Sequence, residues 1–251
     1  DQAIPNAIKE GQFYLKFQPT VSLNSKSIIG AEALLRWQSP DLGKISPNEF
    51  IPRAESTGAI ISLGEWVLDK ACAEANAWAS ITDIPIKVGV NFSPLQLVEE
   101  NIADFILNTL EKNNLSPKLL DIELTEYSFL EDPNPAVETI LHLKSKGVSF
   151  SLDDFGTGYS SLSQLASYPV DTIKIDQSLI AGITKNDESI AIVKAIVLMA
   201  KEIGISALAE GVEGKEEVDF LSSVGCSSAQ GHFFYKPLTK DNFRKLLVLG
   251  N

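Results

Sequence analysis

Residues 149–162 read S-F-S-L-D-D-F-G-T-G-Y-S-S-L. Val148, Phe150 and Leu152 alternate with small polar residues, the period-2 pattern of a buried strand. The apolar run stops at two adjacent carboxylates, Asp153 and Asp154, followed by Gly156, Gly158 and a serine pair that can open a helix. An acid buried without a counter-charge loses several kcal/mol of hydration. A cation therefore belongs against this pair, and a divalent metal ion is the simplest one. Taken alone, a D-D pair reads equally as a solvated turn after a strand. What decides between the two readings is how many other strands end the same way.

Several do. Upstream, the run 119–124 (L-L-D-I-E-L) carries Glu123, and 87–91 (K-V-G-V-N) ends in Asn91. The run 28–37 (I-I-G-A-E-A-L-L-R-W) holds Glu32 and Arg36 inside an apolar stretch, and 13–19 is a first strand ended by Pro19. Downstream, 170–175 carries Lys174 and leads to Asp176, 205–209 ends at Glu210, and 227–231 carries Gln230. Between them lie helical patterns at 47–58, at 135–146 closed by Gly147, and at 187–201, 215–223 and 241–249. A capping box of Ser62 and Glu65 predicts a helix through Trp78, and Ser93-Pro94 predicts another running to about Asn113. Strands alternating with helices indicate parallel βαβ units. Eight strands over 251 residues predict an α/β fold of the TIM-type (β/α)8 class, with residues 1–251 forming one domain. No G-x-G-x-x-G follows a strand, so a dinucleotide-binding doubly wound sheet is not supported.

In such a barrel the C-terminal ends of the strands meet at one face. Glu32, Glu123, Asp153, Asp154 and Glu210 would then share a pocket with Asn91, Lys174 and Gln230. Five acids cannot all stay ionised there without cations. Oxygen donors call for hard ions, Mg²⁺ or Mn²⁺. Two ions sharing one carboxylate suit in-line hydrolysis of a phosphoester. Individually, Asn91 also reads as a helix-entry residue and Lys174 as a snorkelling surface lysine. Glu126, Asp176 and Glu213 read as supporting hydrogen-bond partners or surface acids, and Trp37, Trp66 and Trp78 as core.

Composition narrows the rest. Apolar residues make up 44% of the chain, enough for a sizeable core. A net charge of −12 argues against a broad basic surface for duplex nucleic acid. Cys72 and Cys226 are too few for a disulfide framework or a cysteine metal cluster, and His142 and His232 too few for a histidine-rich one. No apolar run has the length of a membrane span and no signal peptide opens the chain. The expectation is a cytoplasmic domain without membrane contact of its own. Starting without Met, it is expected to be part of a larger multidomain signalling protein.

At this point the residues resemble a family. E-A-L-L-R-W at 32–37, V-N-F-S at 90–93, E-L-T-E at 123–126 and D-D-F-G-T-G-Y-S-S-L at 153–162 look like the motifs of the EAL domain, the bacterial cyclic-di-GMP phosphodiesterases. I-K-I-D at 173–176, A-E-G-V-E at 209–213 and Q-G-H at 230–232 continue the series in family order. The resemblance implies a barrel whose first strand is antiparallel to the others. It implies hydrolysis of one phosphodiester bond of cyclic di-GMP to linear pGpG, by water activated between two metal ions. Glu32, Asn91, Glu123 and Asp153 would hold the first ion. Asp153 would bridge to a second, held with Asp154 and Glu210. Lys174 would contact the attacking water and balance charge, so that Lys174, Glu210, Glu32 and Asp153 form the catalytic group. Gln230 would orient water, Arg36 grip a phosphate oxygen, and Gln18 and Leu34 border the dinucleotide. Glu126 and Glu213 would anchor loops, Glu126 tethering the 154–161 loop through which family members couple dimerisation to activity.

The resemblance further implies a homodimer and inhibition by Ca²⁺. Three positions depart from the common pattern: His232 stands where Tyr is usual, Gly214 where Thr is, and Ser227 where Asp is. None is a ligand position. A receptor that binds cyclic di-GMP without cleaving it, and a barrel acting on another phosphoester, are the alternatives.

Overall fold

The chain is described from a computed structural model over residues 3–125, 133–156 and 168–249. The quoted stretch begins β6 (Ser149–Phe155), which lies between β5 (Leu120–Thr125) and β7 (Thr172–Ile175), parallel to both. The parallel series runs from β2 (Ile28–Ser39) through β4 (Lys87–Asn91), β5, β6, β7 and β8 (Ser206–Ala209) to β9 (Ser228–Ala229). The ring is closed by β1 (Phe13–Ser22), which pairs antiparallel with both β2 and β9. This is the eight-stranded TIM-type barrel expected, with its first strand reversed. Two short strands lie outside the ring: β3 (Gly43–Ile45) on β2, and β10 (Leu238–Thr239) on β1, both antiparallel.

Alternation along the strands sorts residues to two faces. Val88, Val90, Leu120, Ile122, Leu124, Phe150, Leu152, Ile173 and Ile175 are fully buried beneath the helices, and the polar residues between them face the barrel axis. Helix α3 (Ile60–Ala79) presents Leu68, Ala71, Cys72, Ala75 and Trp78 at helical spacing to this core. Trp78 packs on Phe17 and Phe243, with ring centroids 5.2 Å and 4.6 Å away. A smaller cluster joins Phe13, Phe50, Ala54, Ile60 and Leu63 to Ile4 and Ala7 of α1 (Ala3–Lys9), with Trp37 and Trp66 packed against it. Trp78 is therefore a core residue, and Trp37 and Trp66 pack against the core half-buried. No helix among the described residues is long and apolar enough to cross a membrane.

Two local expectations are corrected. Ser62 and Glu65 do not cap α3, which starts earlier at Ile60; Ser62 Oγ donates instead to the Ala59 carbonyl at 3.1 Å. The preceding helix α2 (Pro47–Ser56) is followed by Gly58 at φ +73°, and the chain turns straight into α3 without a side-chain cap. The single helix expected from Pro94 to about Asn113 is two, α4 (Pro94–Leu97) and α5 (Ile102–Lys112). Asn101, left-handed at φ 65°, separates them. A short helix after β7 (Gln177–Gly182) was not legible from periodicity; Asp176 caps it by accepting from Ser178 N at 2.9 Å.

Candidate active site

Adjacent residues of a regular strand point to opposite faces, so Asp153 and Asp154 should not share a rim. A bulge brings them together. The β6–β7 register shifts between Leu152 and Phe155, and Asp154 adopts φ 55°, a left-handed conformation that Asp tolerates better than most residues. Asp154 N donates to Asp153 Oδ1 at 2.9 Å, holding the turn.

Lys174 is the centre of the assembly. Only 2% exposed, its Nζ lies 2.7 Å from Glu123, 2.9 Å from Glu210, 3.2 Å from Asp153 and 3.6 Å from Glu32. Glu32 is held from two further sides: Asn91 Nδ2 donates to Oε1 at 2.8 Å and Gln230 Nε2 to Oε2 at 2.6 Å. Thr20 Oγ1 donates to Gln230 Oε1 at 3.2 Å and so fixes the amide's orientation. The structure thus brings together Glu32, Asn91, Glu123, Asp153, Asp154, Lys174, Glu210 and Gln230, drawn from β2, β4, β5, β6, β7 and the ends of β8 and β9.

The acids are not electrostatically alike. Burial pushes Glu123 well above the usual carboxylate range, Glu32, Asp153 and Asp121 add to the push, and Lys174 only partly opposes it. Burial likewise raises Glu210 to about 8 against the pull of Lys174. At the lip, Asp154 is raised by desolvation, then by Asp153 and Asp176. Glu32 moves the other way, because Lys174 and the amides of Gln230 and Asn91 together outweigh its burial. Desolvation works against the Lys174 ammonium, yet four carboxylates hold it firmly protonated.

Oxygen donors fall into two overlapping groups. Glu32, Glu123 and Asp153 form one and Asp153, Asp154 and Glu210 the other, the donor atoms of each lying within 4.8 Å of one another. Asp153 is common to both. An all-oxygen donor set with one shared carboxylate fits two hard dications.

Above the acids lies a cleft of about 450 Å³ bordered by Gln18, Leu34, Asp176, Glu213, Gln230 and His232. Arg36 is set to one side, in an adjoining groove of about 440 Å³ that shares Leu34 and Asp154 with the cleft. Its Nη1 donates to the Leu35 carbonyl at 2.8 Å. Glu213 is at the cleft wall, where Glu217 accepts from the backbone N–H groups of Glu213 and Gly214 at 2.6 Å and 3.1 Å. Glu126, expected as a loop anchor, lies outside the described residues.

Sequence reading passed over Gly89. A Cβ there would stand 2.1 Å from Glu123 Oε1, so the glycine makes room for that carboxylate. The signal was present: a glycine inside a five-residue strand marks a close approach. Gly89→Ala is expected to displace Glu123, weakening Mg²⁺ affinity by roughly 10- to 100-fold and destabilising the fold by about 1–3 kcal/mol. Metal titration beside thermal melts reads both effects; unaltered affinity would mean that the carboxylate moves aside freely.

A mixed-strand barrel whose strand tips gather acids and amides around one buried lysine defines the class: a TIM-type barrel with an oxygen-donor centre at its rim. The profile described as EAL domain matches residues 1–237, and the chain belongs to the EAL domain family. It is 38% identical over 232 residues to the bifunctional diguanylate cyclase/cyclic di-GMP phosphodiesterase MucR of Pseudomonas aeruginosa, covering 92% of this chain and 34% of that protein. With the cyclic di-GMP phosphodiesterase PdeR of Escherichia coli it shares 37% identity over 245 residues, 98% of this chain and 37% of the relative. A solved structure of the PaMucR phosphodiesterase in complex with c-di-GMP superposes with a TM-score of 0.90 at 37% identity, covering 96% of this chain and 97% of that one. The EAL domain of Mycobacterium smegmatis DcpA gives 0.81 at 31% identity, with 96% and 98% covered. The chain spans about a third of the length of the curated relatives it matches.

Proposed function

We propose that this EAL domain hydrolyses one phosphodiester bond of cyclic di-GMP to linear pGpG, lowering the level of that second messenger. The observation that carries the reading is the pair of oxygen-donor groups sharing Asp153, beside a buried lysine, at the base of an open cleft. Family membership and the likeness to cyclic-di-GMP phosphodiesterases support it. The intact donor set counts against a receptor that binds without cleaving.

In this reading Glu32, Asn91, Glu123 and Asp153 hold one Mg²⁺ or Mn²⁺, and Asp153, Asp154 and Glu210 the other. The ions supply Lewis acidity toward the phosphoryl group and toward water. The chain does the rest. Lys174, kept cationic by its four neighbours, balances negative charge as it develops on phosphorus and its oxygens. Asn91 and Gln230 hold Glu32 ionised and in place through their N–H donors, leaving the Asn91 carbonyl oxygen to ligate the ion. Gln18 and Leu34 border the dinucleotide, and Arg36 grips a phosphate from the adjoining groove. Glu126 and Glu213 anchor the loops around the rim. Such a domain would act in the cytoplasm as a homodimer.

Incubation with cyclic di-GMP and Mg²⁺ or Mn²⁺, followed by chromatography, should yield pGpG; intact substrate would refute the reading. A panel of other cyclic and linear dinucleotides separates it from hydrolysis of a different phosphoester. Ca²⁺ should abolish turnover yet preserve binding, because it tolerates looser and larger coordination. Turnover in Ca²⁺ at the Mg²⁺ rate would count against a strict two-ion geometry.

The raised acids also predict a pH dependence. An acid raised on folding contributes stability below its unfolded pKa and loses it as pH climbs through its folded one. For Glu210 that window runs from about 4.5 to about 8 in the ion-free protein. A dication arriving in the window displaces a proton, so its affinity should climb by up to about tenfold per pH unit for each proton released. Calorimetry in buffers of different ionisation enthalpy measures this; affinity flat across the window would contradict it.

A further inference from the structure

TIM-type barrels usually fill their interior with layers of branched apolar side chains. Here the inward positions beside and below the acids include Gly30, Gly89, Ser151, Thr172, Ser206 and Ser228, with Leu208 an apolar member between Lys174 and Ser228, and they line a single cavity of about 550 Å³. The strand registers seat them against the acids: Gly89 opposite Glu32, Ser151 opposite Glu123, and Thr172 opposite both Ser151 and Ser206. Left wholly apolar, space of this size would cost stability; the hydroxyls of Ser151, Thr172, Ser206 and Ser228 and the Asp121 carboxylate, set into a wall that is otherwise largely apolar, give water polar partners.

Burial along the cavity is graded. Asn24, Lys87 and Ser206 are exposed, Asp121 and Thr172 are half-buried, and Ser151 and Ser228 are buried. The exposed end carries the first residues of β4 and β8, so it opens on the face opposite the acidic rim. Its wall is pinned back, Lys87 Nζ donating to Ser149 Oγ at 3.0 Å and Ser151 Oγ to Asp121. The inner end is bounded by Glu32, Glu123 and Lys174. Of these three, Glu32 alone also borders the upper cleft.

We infer that the lower barrel is a hydrated inlet, entered from the face opposite the acidic rim, that brings water to Glu123 and Lys174 from beneath while a dinucleotide fills the cleft above. The last clause rests on the proposed function; the inlet itself does not. A reaction that consumes water and covers its own entrance with substrate needs a second route for the water, and the cavity provides one.

Cysteine labelling followed by intact mass tests it on the folded protein. The unaltered chain should take no adduct, because Cys72 and Cys226 are buried in the apolar core and neither lines the cavity. Ser151→Cys should accept one small cationic methanethiosulfonate, with Ser228→Cys as the second variant at similar depth if the first folds poorly. In the Ser151→Cys/Ser206→Cys pair, capping the exposed thiol with a bulky maleimide should slow labelling of the inner one at least about tenfold. Capping Ser206→Cys alone should lower kcat for cyclic di-GMP several-fold at unchanged KM. An inner thiol that never labels, or labels as fast behind the cap, overturns the inlet; an unaltered kcat overturns its role in supplying the reaction with water. If uncapped Ser206→Cys and the unaltered chain both fail to cleave the dinucleotide, the enzyme reading falls and labelling alone decides the inlet.

Discussion

Lys174→Met is expected to give a protein that is markedly less stable unless dications are present. Methionine keeps most of the side chain's bulk and removes its charge, so the change isolates electrostatics. Four carboxylates lie within 3.6 Å of the lost ammonium. Burial already raises Glu123 and Glu210, and both would move further toward their neutral forms. Glu32, held ionised in large part by this lysine, has the most to lose. Breaking a buried charge pair in this way typically costs about 3–5 kcal/mol. For a chain of this size that corresponds to a fall in Tm of about 10 °C. Mg²⁺ or Mn²⁺ should recover most of it by replacing the missing positive charge. Turnover should stay about 10²-fold low even with ions bound, since the proposed reaction relies on this ammonium to balance charge near phosphorus. Melts with and without Mg²⁺, paired with kcat, separate the two effects. An ion-free Tm matching that of the unaltered protein would mean the acids were never held together by this ammonium.

The second large effect is expected at Asp153. Asn can still accept the Asp154 N–H that Asp153 Oδ1 accepts, so Asp153→Asn preserves the turn and removes only the charge. Because Asp153 belongs to both donor groups, the variant should weaken both ions at once. Hydrolysis of cyclic di-GMP should fall by on the order of 10³-fold or more, as the chemistry depends on both. Glu210→Gln, by contrast, touches one group and should leave one ion bound. Without ions, Asp153→Asn should melt no lower than the unaltered chain, because one repelling charge has been taken out of a crowded pocket. Ion stoichiometry by calorimetry distinguishes the two variants. Two tight ions in Asp153→Asn would remove it from the shared position.

Fold class and the members of the site were legible because alternation and spacing are local signals. Polar residues at the tips of apolar runs, one per βα unit, must converge once the strands lie parallel. Helix boundaries were less legible. At 58–62 and 98–101 a glycine or left-handed asparagine turned the chain where a capping motif or a continuous apolar pattern suggested otherwise. Gly89 was visible as an oddity in a strand, but its reason lay in a carboxylate from another strand.

The amino-acid sequence by itself determined which residues gather at the rim: acids, amides and one lysine set into apolar strands, where only convergence makes their burial tolerable. The tertiary structure decided how they meet. It reversed β1 to close the ring, bulged β6 so that neighbouring acids share one rim, placed Lys174 among four carboxylates, set Arg36 in the groove beside the cleft and left the lower barrel hollow. These features depend on distances between residues far apart in the chain. Such distances are set by closing the ring and packing its two faces, which no local pattern encodes.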